Sequence, residues 1–149
     1  MSLSVDVATE NARAALSRDR VATIARAALR YQRVREALVS ITFVDRATIE
    51  RLNAKHLGHR GPTDVISFGF IRATPSDPVV GDIYICPSVA SENAKARDES
   101  VRDETARLVV HGILHVLGYD HPNDHRRETS DMWRRQERLL RRIGRGRRS

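Results

Sequence analysis

Up to Ile85 the chain is dominated by short runs in which apolar and polar residues alternate; beyond Pro87 apolar residues recur every three to four positions. Alternation predicts strands at Ser4–Val7, Leu38–Val44, Val65–Phe68 and Gly81–Ile85. Between the first two strands, Val21, Ile24, Ala25, Ala28 and Leu29 share one helical face, which predicts a helix from Asp19 to about Glu36. Asp45 is placed to cap a second helix, Arg46 to Leu57, that Gly58 ends. Gly61-Pro62-Thr63 reads as a loop, and so does the Pro- and Asp-rich stretch from Ala73 to Pro78. The second half predicts helices from Ser88 to about Arg97, from Ser100 to Leu117 behind a Ser100 and Asp103 capping pair, and from about His125 to Ile143. No repeat or composition break divides the chain. The expectation is one α+β domain spanning residues 1–149, with a mixed four-stranded sheet packed with about five helices.

From Leu108 to Leu117 the helix is apolar on nearly every side, the mark of a buried helix, yet it carries His111 and His115. Residues four apart stand one turn above the other, so both imidazoles can address one point. Gly118 is suited to a left-handed turn that would bring His121 back to that point, and Pro122 keeps helix from resuming. Three imidazoles without a fourth protein ligand suit one Zn2+ ion and leave a position open for chemistry. The expected zinc site therefore lies at the end of a central buried helix. His125 is a weaker candidate, expected to start the next helix at the surface.

Composition narrows the class. With 40% hydrophobic and 30% charged residues among 149, the chain is that of an ordinary globular domain, and no apolar run is long enough to span a membrane. The first residues lack the basic and apolar regions of a secretory signal, so a cytoplasmic protein is expected. Cys86 has no partner for a disulfide and reads as a core residue. The net charge of +7 is uneven. Acidic and basic residues cancel up to His125; beyond it, arginines outnumber Glu128, Asp131 and Glu137, and residues 144–149 form a basic tail. Such an end suits phosphate backbones. In the last helix Met132, Trp133, Gln136, Leu139, Leu140 and Ile143 form the inward stripe, with Met132 and Trp133 expected in the core.

Histidines at these offsets, with a glycine before the third, also occur in zinc peptidases of the H-E-x-x-H-x-x-G-x-x-H type, whose glutamate is the general base. Here that position is Gly112. Without a base worth about 10²–10⁴ in rate, peptide bonds are a poor target. Phosphodiesters need less help, because a metal can polarise the phosphoryl oxygen.

The run His111-Gly-Ile-Leu-His115-Val-Leu-Gly-Tyr-Asp-His121 resembles the H-G-x-L-H-L-x-G-Y-D-H signature of the YbeY family, bacterial zinc-dependent endoribonucleases that act as ribosomal RNA maturation factors. Leu52-Asn53 followed by Gly61-Pro62-Thr63-Asp64-Val65-Ile66-Ser67-Phe68 is similar to the family's L-N…P-T-D-V-L-S-F block, and Gly81-Asp82-Ile83 to its G-D-I block. The resemblance runs from about Phe43 to Ile143. It implies a single-strand-specific endoribonuclease of 16S rRNA 3′-end maturation and ribosome quality control. Its partners would be ribosomal RNA and ribosomal particles, with ribosome-associated proteins, and no membrane. The histidines would be metal ligands and catalytic residues, Asp120 would orient a histidine ring, and Thr63, Asp64, Ser67 and Asp82 would lie around the cleft. Where the family places an arginine, four residues after Asn53, this chain has Leu57; Arg60 is the expected substitute on substrate phosphate. The alternatives are a non-catalytic, zinc-stabilised ribosome-assembly factor and, third, a metallopeptidase-like hydrolase.

Overall fold

The computed structural model describes residues 2–120 and 130–148. Its strands are β1 (Leu3–Glu10), β2 (Ala37–Val44), β3 (Val65–Gly69) and β4 (Val79–Ile85). They form one sheet in the order β1-β2-β4-β3, with β1, β2 and β4 parallel and β3 antiparallel to β4. Five α-helices accompany it among the described residues: α1 (Arg18–Tyr31), α2 (Arg46–Leu52), α3 (Pro87–Ala96), α4 (Val101–Val116) and α5 (Asp131–Arg148). This is the mixed-sheet α+β architecture that the patterning predicts.

The pleat sorts the sheet's residues. Val39, Ile41 and Phe43 of β2 and Val79, Ile83 and Ile85 of β4 are buried in one core with Ile24, Ala28 and Leu29 of α1 and Leu108, Ile113 and Leu114 of α4. A smaller cluster of Val44, Ile49, Ile66 and Cys86 gathers α2 and part of β3, and Cys86 is buried as expected. α4 lies very close on the sheet, and glycines make the room. A Cβ on Gly112 would come 2.8 Å from Ile83 Cγ2; one on Gly81 would meet Val116 Cγ1 at 2.6 Å, and one on Gly69 the Val116 carbonyl oxygen at 2.6 Å. Real Cβ atoms do not approach that far, so backbone meets sheet where any side chain would force them apart.

Several boundaries depart from expectation for local reasons. α1 stops at Tyr31 rather than near Glu36, because Arg33 takes a left-handed φ of 62° while Arg33 N–H donates to the Arg30 carbonyl and Val34 N–H to that of Leu29. That is a Schellman end without its usual glycine, so its signal is missing from the sequence. The second helix keeps its Asp45 cap, with Thr48 N–H donating to Oδ1 at 2.9 Å, but changes to a π turn over Asn53–Leu57 before Gly58 at φ 68°. Asn53, buried, donates from Nδ2 to the Gly61 carbonyl at 3.0 Å and so pins the loop that follows. The helical backbone of α5 continues to Arg148, past Ile143 and into the segment read as a basic tail.

Candidate functional site

α4 presents the histidines as their spacing requires. The His111 and His115 rings lie 4.6 Å apart between centroids at an interplanar angle of 72°. His111 is buried; His115, one turn nearer the helix end, is half-buried. The helix then ends in a Schellman motif: Gly118, at φ 101°, donates N–H to the His115 carbonyl, and Tyr119 N–H donates to that of Leu114. The turn expected of Gly118 is therefore made. His121 and His125 lie outside the described residues. Among the described residues no three His, Cys, Asp or Glu side chains are grouped to hold a metal ion.

The tautomer of His111 follows from its surroundings. Its Nδ1 lies 2.6 Å from Oε1 of Gln136, a residue with no solvent exposure. The amide orientation is fixed at its other end, where Gln136 Nε2 donates to Glu137 Oε2 at 3.0 Å, since a carboxylate can only accept. Oε1 must accept in turn, so His111 Nδ1 carries the proton, and the lone pair of a neutral ring belongs to Nε2. Glu137 is held ionised: burial pushes its carboxyl up, but the hydrogen bonds from Arg107 and Gln136, together with the charges of Arg107 and Arg97, outweigh this and leave it below the usual range. Arg107 Nε donates to Glu137 Oε2 at 3.0 Å and Nη1 to Glu104 Oε1 at 3.0 Å, with Glu99 also paired. Burial would lower the Arg107 pKa; the three carboxylates reverse that and raise it. Burial pushes Glu104 above the usual carboxylate range despite Arg107. Asn93 Nδ2 donates to Asp64 Oδ2 at 3.0 Å and to Glu104 Oε2 at 3.4 Å, bringing the strand-end aspartate into the same network.

Two cavities flank the histidine pair. His111 lines one of about 360 Å³ together with Asp64, Glu104, Arg107, Trp133 and Gln136. Trp133, expected in the core, instead stands half-buried at this wall with the Arg97 guanidinium 4.9 Å above its ring, while Met132 is fully in the core. His115 lines the other cavity, of about 420 Å³, with Phe70, Ile71, Arg72 and Thr74.

Of the upstream residues, Asp64 is thus brought to His111, and Thr63 sits beside it, its Oγ1 3.4 Å from Asp64 Oδ1. Ser67 pairs with Ile83 on the sheet face turned to α4, where its Oγ is buried with no hydrogen-bond partner among the described residues. Asp82 goes elsewhere. Its neighbours Gly81 and Ile83 face α4, so period two turns Asp82 to the opposite face, where Ser40 Oγ donates to it at 2.6 Å. In the G-D-I block it is the glycine that matters to α4. Arg60 is exposed and lines neither histidine cavity, Leu57 is 46% exposed, and Asp120 is exposed just past the α4 turn. Gly112 also gains a packing role: its position faces Ile83, with no room for a glutamate to stand over the histidines.

A family profile described as Endoribonuclease YbeY matches residues 5–144. The chain belongs to the YbeY endoribonuclease family. It is 39% identical over 134 residues to Endoribonuclease YbeY of Thermobifida fusca, covering 83% of this chain and 86% of that one. To the Syntrophus aciditrophicus protein of the same name it is 32% identical over 143 residues, covering 94% and 89%. A solution structure of a Thermotoga maritima protein shares the fold at a TM-score of 0.60 and 23% identity, over 96% of this chain and 91% of the other. Sequence reasoning on this YbeY-family chain named Gln136 only as part of an apolar stripe. A glutamine where that stripe calls for leucine was the available signal, and Glu104, Arg107 and Asn93 gave none.

Proposed function

We propose that this chain is a zinc-dependent, single-strand-specific endoribonuclease of 16S rRNA 3′-end maturation and ribosome quality control, with His111, His115 and His121 as ligands of one Zn2+ ion. Family membership supports RNA cleavage. The observation that carries the metal is the chain from Arg107 through Glu137 and Gln136 to His111, which holds a buried imidazole in one orientation with Nδ1 as the donor and so makes Nε2 the nitrogen suited to a metal. A divalent cation satisfies such a group, and three imidazoles are the donor set zinc accepts. The Ser67 Oγ, on the sheet face turned to α4 and buried without a hydrogen-bond partner among the described residues, fits a site that takes up a further group. When bound, zinc supplies Lewis-acid chemistry to a phosphodiester.

The protein's own part is positional. α4, seated on the sheet, fixes the spacing of the two histidines, and Gln136 fixes the ring of the deeper one. Asp64 faces the same cavity with Thr63 beside it, Ser67 lies on the sheet face turned to α4, Asp120 is proposed to steady a histidine ring from beyond the helix end, and Arg60 is proposed to reach substrate phosphate from its loop. Ribosomal RNA is the substrate, met on ribosomal particles with their associated proteins. No described helix is long and apolar enough to cross a membrane, and a cytoplasmic location suits this role.

Metal analysis and cleavage of a single-stranded oligoribonucleotide test the proposal on wild type, chelated protein and His115→Ala. One zinc per chain is expected, with cleavage lost on chelation and in the variant while circular dichroism is unchanged. Equal cleavage by wild type and His115→Ala would sink it.

A further inference from the structure

The two sides of the histidine pair differ in charge, and the difference locates the substrate strand. On the His111 side, Asp64 and Glu104 line the cavity with two arginines, of which Arg107 is already matched to three glutamates and Arg97 lies over the Trp133 ring. A phosphate gains little there. On the His115 side the cavity adjoins another. It shares Arg72, Pro75 and Leu117 with a further hollow of about 640 Å³ that runs on to Arg33 and Arg35. At the near end stands Phe70, 65% exposed, beside fully exposed Ile71. Neither Arg33 nor Arg35 makes a side-chain hydrogen bond or ion pair among the described residues. Among the described residues Arg72 is oriented by backbone carbonyls alone, Nη1 donating to that of Pro75 at 3.2 Å, and no carboxylate there pairs with its charge. Glu36 and Asp77 line the same stretch, but Asp77 is engaged by the Thr74 N–H at 3.0 Å. Tyr119 forms a wall, with the Arg135 guanidinium 5.0 Å over its ring.

Resting on the endoribonuclease reading, we propose that these adjoining hollows form one groove, from His115 past Phe70 to Arg72, Arg33 and Arg35, that is the track of single-stranded RNA on one side of the scissile phosphate. Phe70 stacks the base next to the histidines, and the three arginines hold the phosphates that follow. An aromatic platform joined to a cationic groove is how proteins hold a single strand without a base code, because every base has a face to stack. A duplex keeps its bases turned inward and cannot use Phe70, so the groove supplies a preference for unpaired RNA. It also places a phosphate grip in a chain with leucine at position 57, on the opposite side of the site from the Leu57 loop's neighbour Asp64.

The test joins cleavage kinetics of the zinc-loaded protein to binding of a fluorescent single-stranded oligoribonucleotide in a His115→Ala background, where nothing should be cut. Phe70→Ala is expected to weaken binding and raise KM about 5- to 150-fold, with zinc content and circular dichroism unchanged, and Phe70→Trp to restore both. Arg33→Gly, which suits the left-handed backbone at that position, is combined with Arg35→Ala. The pair should lower the slope of log affinity against log salt by about 1.4, two contacts at about 0.7 each, while Arg13→Ala, an exposed arginine outside the groove, leaves affinity unchanged. Affinity and salt slope unmoved by these changes, or Phe70→Leu restoring binding as well as Phe70→Trp, would overturn the track. Wild type that binds but never cleaves would instead overturn the nuclease reading while leaving the groove measured.

Discussion

The two flanks of the histidine pair are built on opposite principles. Around His111, polar groups pair with one another: Arg107, Glu137, Gln136, Glu104, Asn93 and Asp64 form a continuous set of hydrogen bonds in and beside a buried cavity. Around His115, aromatic and cationic side chains are left open to solvent or tied only to backbone carbonyls. Closed networks rigidify, because in a low-dielectric interior an unmatched member would be costly. Open charges do the reverse and wait for a partner. In the proposed reading one flank sets the geometry of the metal ligands and the other meets the substrate, so damage to each should be read out separately.

The sharpest way to break this division is Gln136→Leu. It removes the acceptor that fixes the His111 tautomer, and zinc affinity is expected to fall about 10- to 100-fold, measured by competition with a chelating dye. Binding of the oligoribonucleotide should stay near wild type; a matching loss there would mean the flanks are not separate. Next comes Gly112→Ala, which drives a methyl into Ile83 and should cost about 1–3 kcal/mol in denaturant unfolding. It should disturb both flanks together, since both hang from α4.

Glu137→Gln gives a smaller effect with a definite sign. The folded protein holds Glu137 below the usual carboxylate range, so its contribution is complete at neutral pH and is lost as pH falls through that range to its own lowered pKa. The variant should be less stable than wild type at pH 7, and the gap should close on acidification in urea titrations across that window. A gap that stays constant with pH would show that the loss is packing rather than charge. Smallest is Arg60→Ala. With Arg60 as one phosphate contact beside the Arg33 and Arg35 groove, this change should lower the salt slope by about 0.7, half the effect of the groove pair; a loss as large as the pair's would move the main grip to the Leu57 loop, and no change at all would remove Arg60 from the site.

Much of this was legible in the chain because it follows from local periodicity. The four strands, the capping residues Asp45 and Ser100, the buried helix with His111 and His115, and the left-handed turn at Gly118 all stem from rules that act over a few residues. What escaped depends on partners distant in sequence. Gln136 meets His111 across 25 residues and Arg107 meets Glu137 across 30. Asp82 shows a second limit: a motif marks residues as a group, and only the register tells which of them face the helix. Arg33 shows a third, since a left-handed helix end without glycine leaves no trace in the pattern.

The glycines beneath α4 bear on anyone transplanting this site. Copying the histidine helix onto another scaffold would carry Gly112 along but leave Gly69 and Gly81 behind, because they belong to the sheet. Ordinary strands would lift such a helix away from the sheet, and the imidazoles would be displaced with it. The portable unit is a helix together with two hollowed strands.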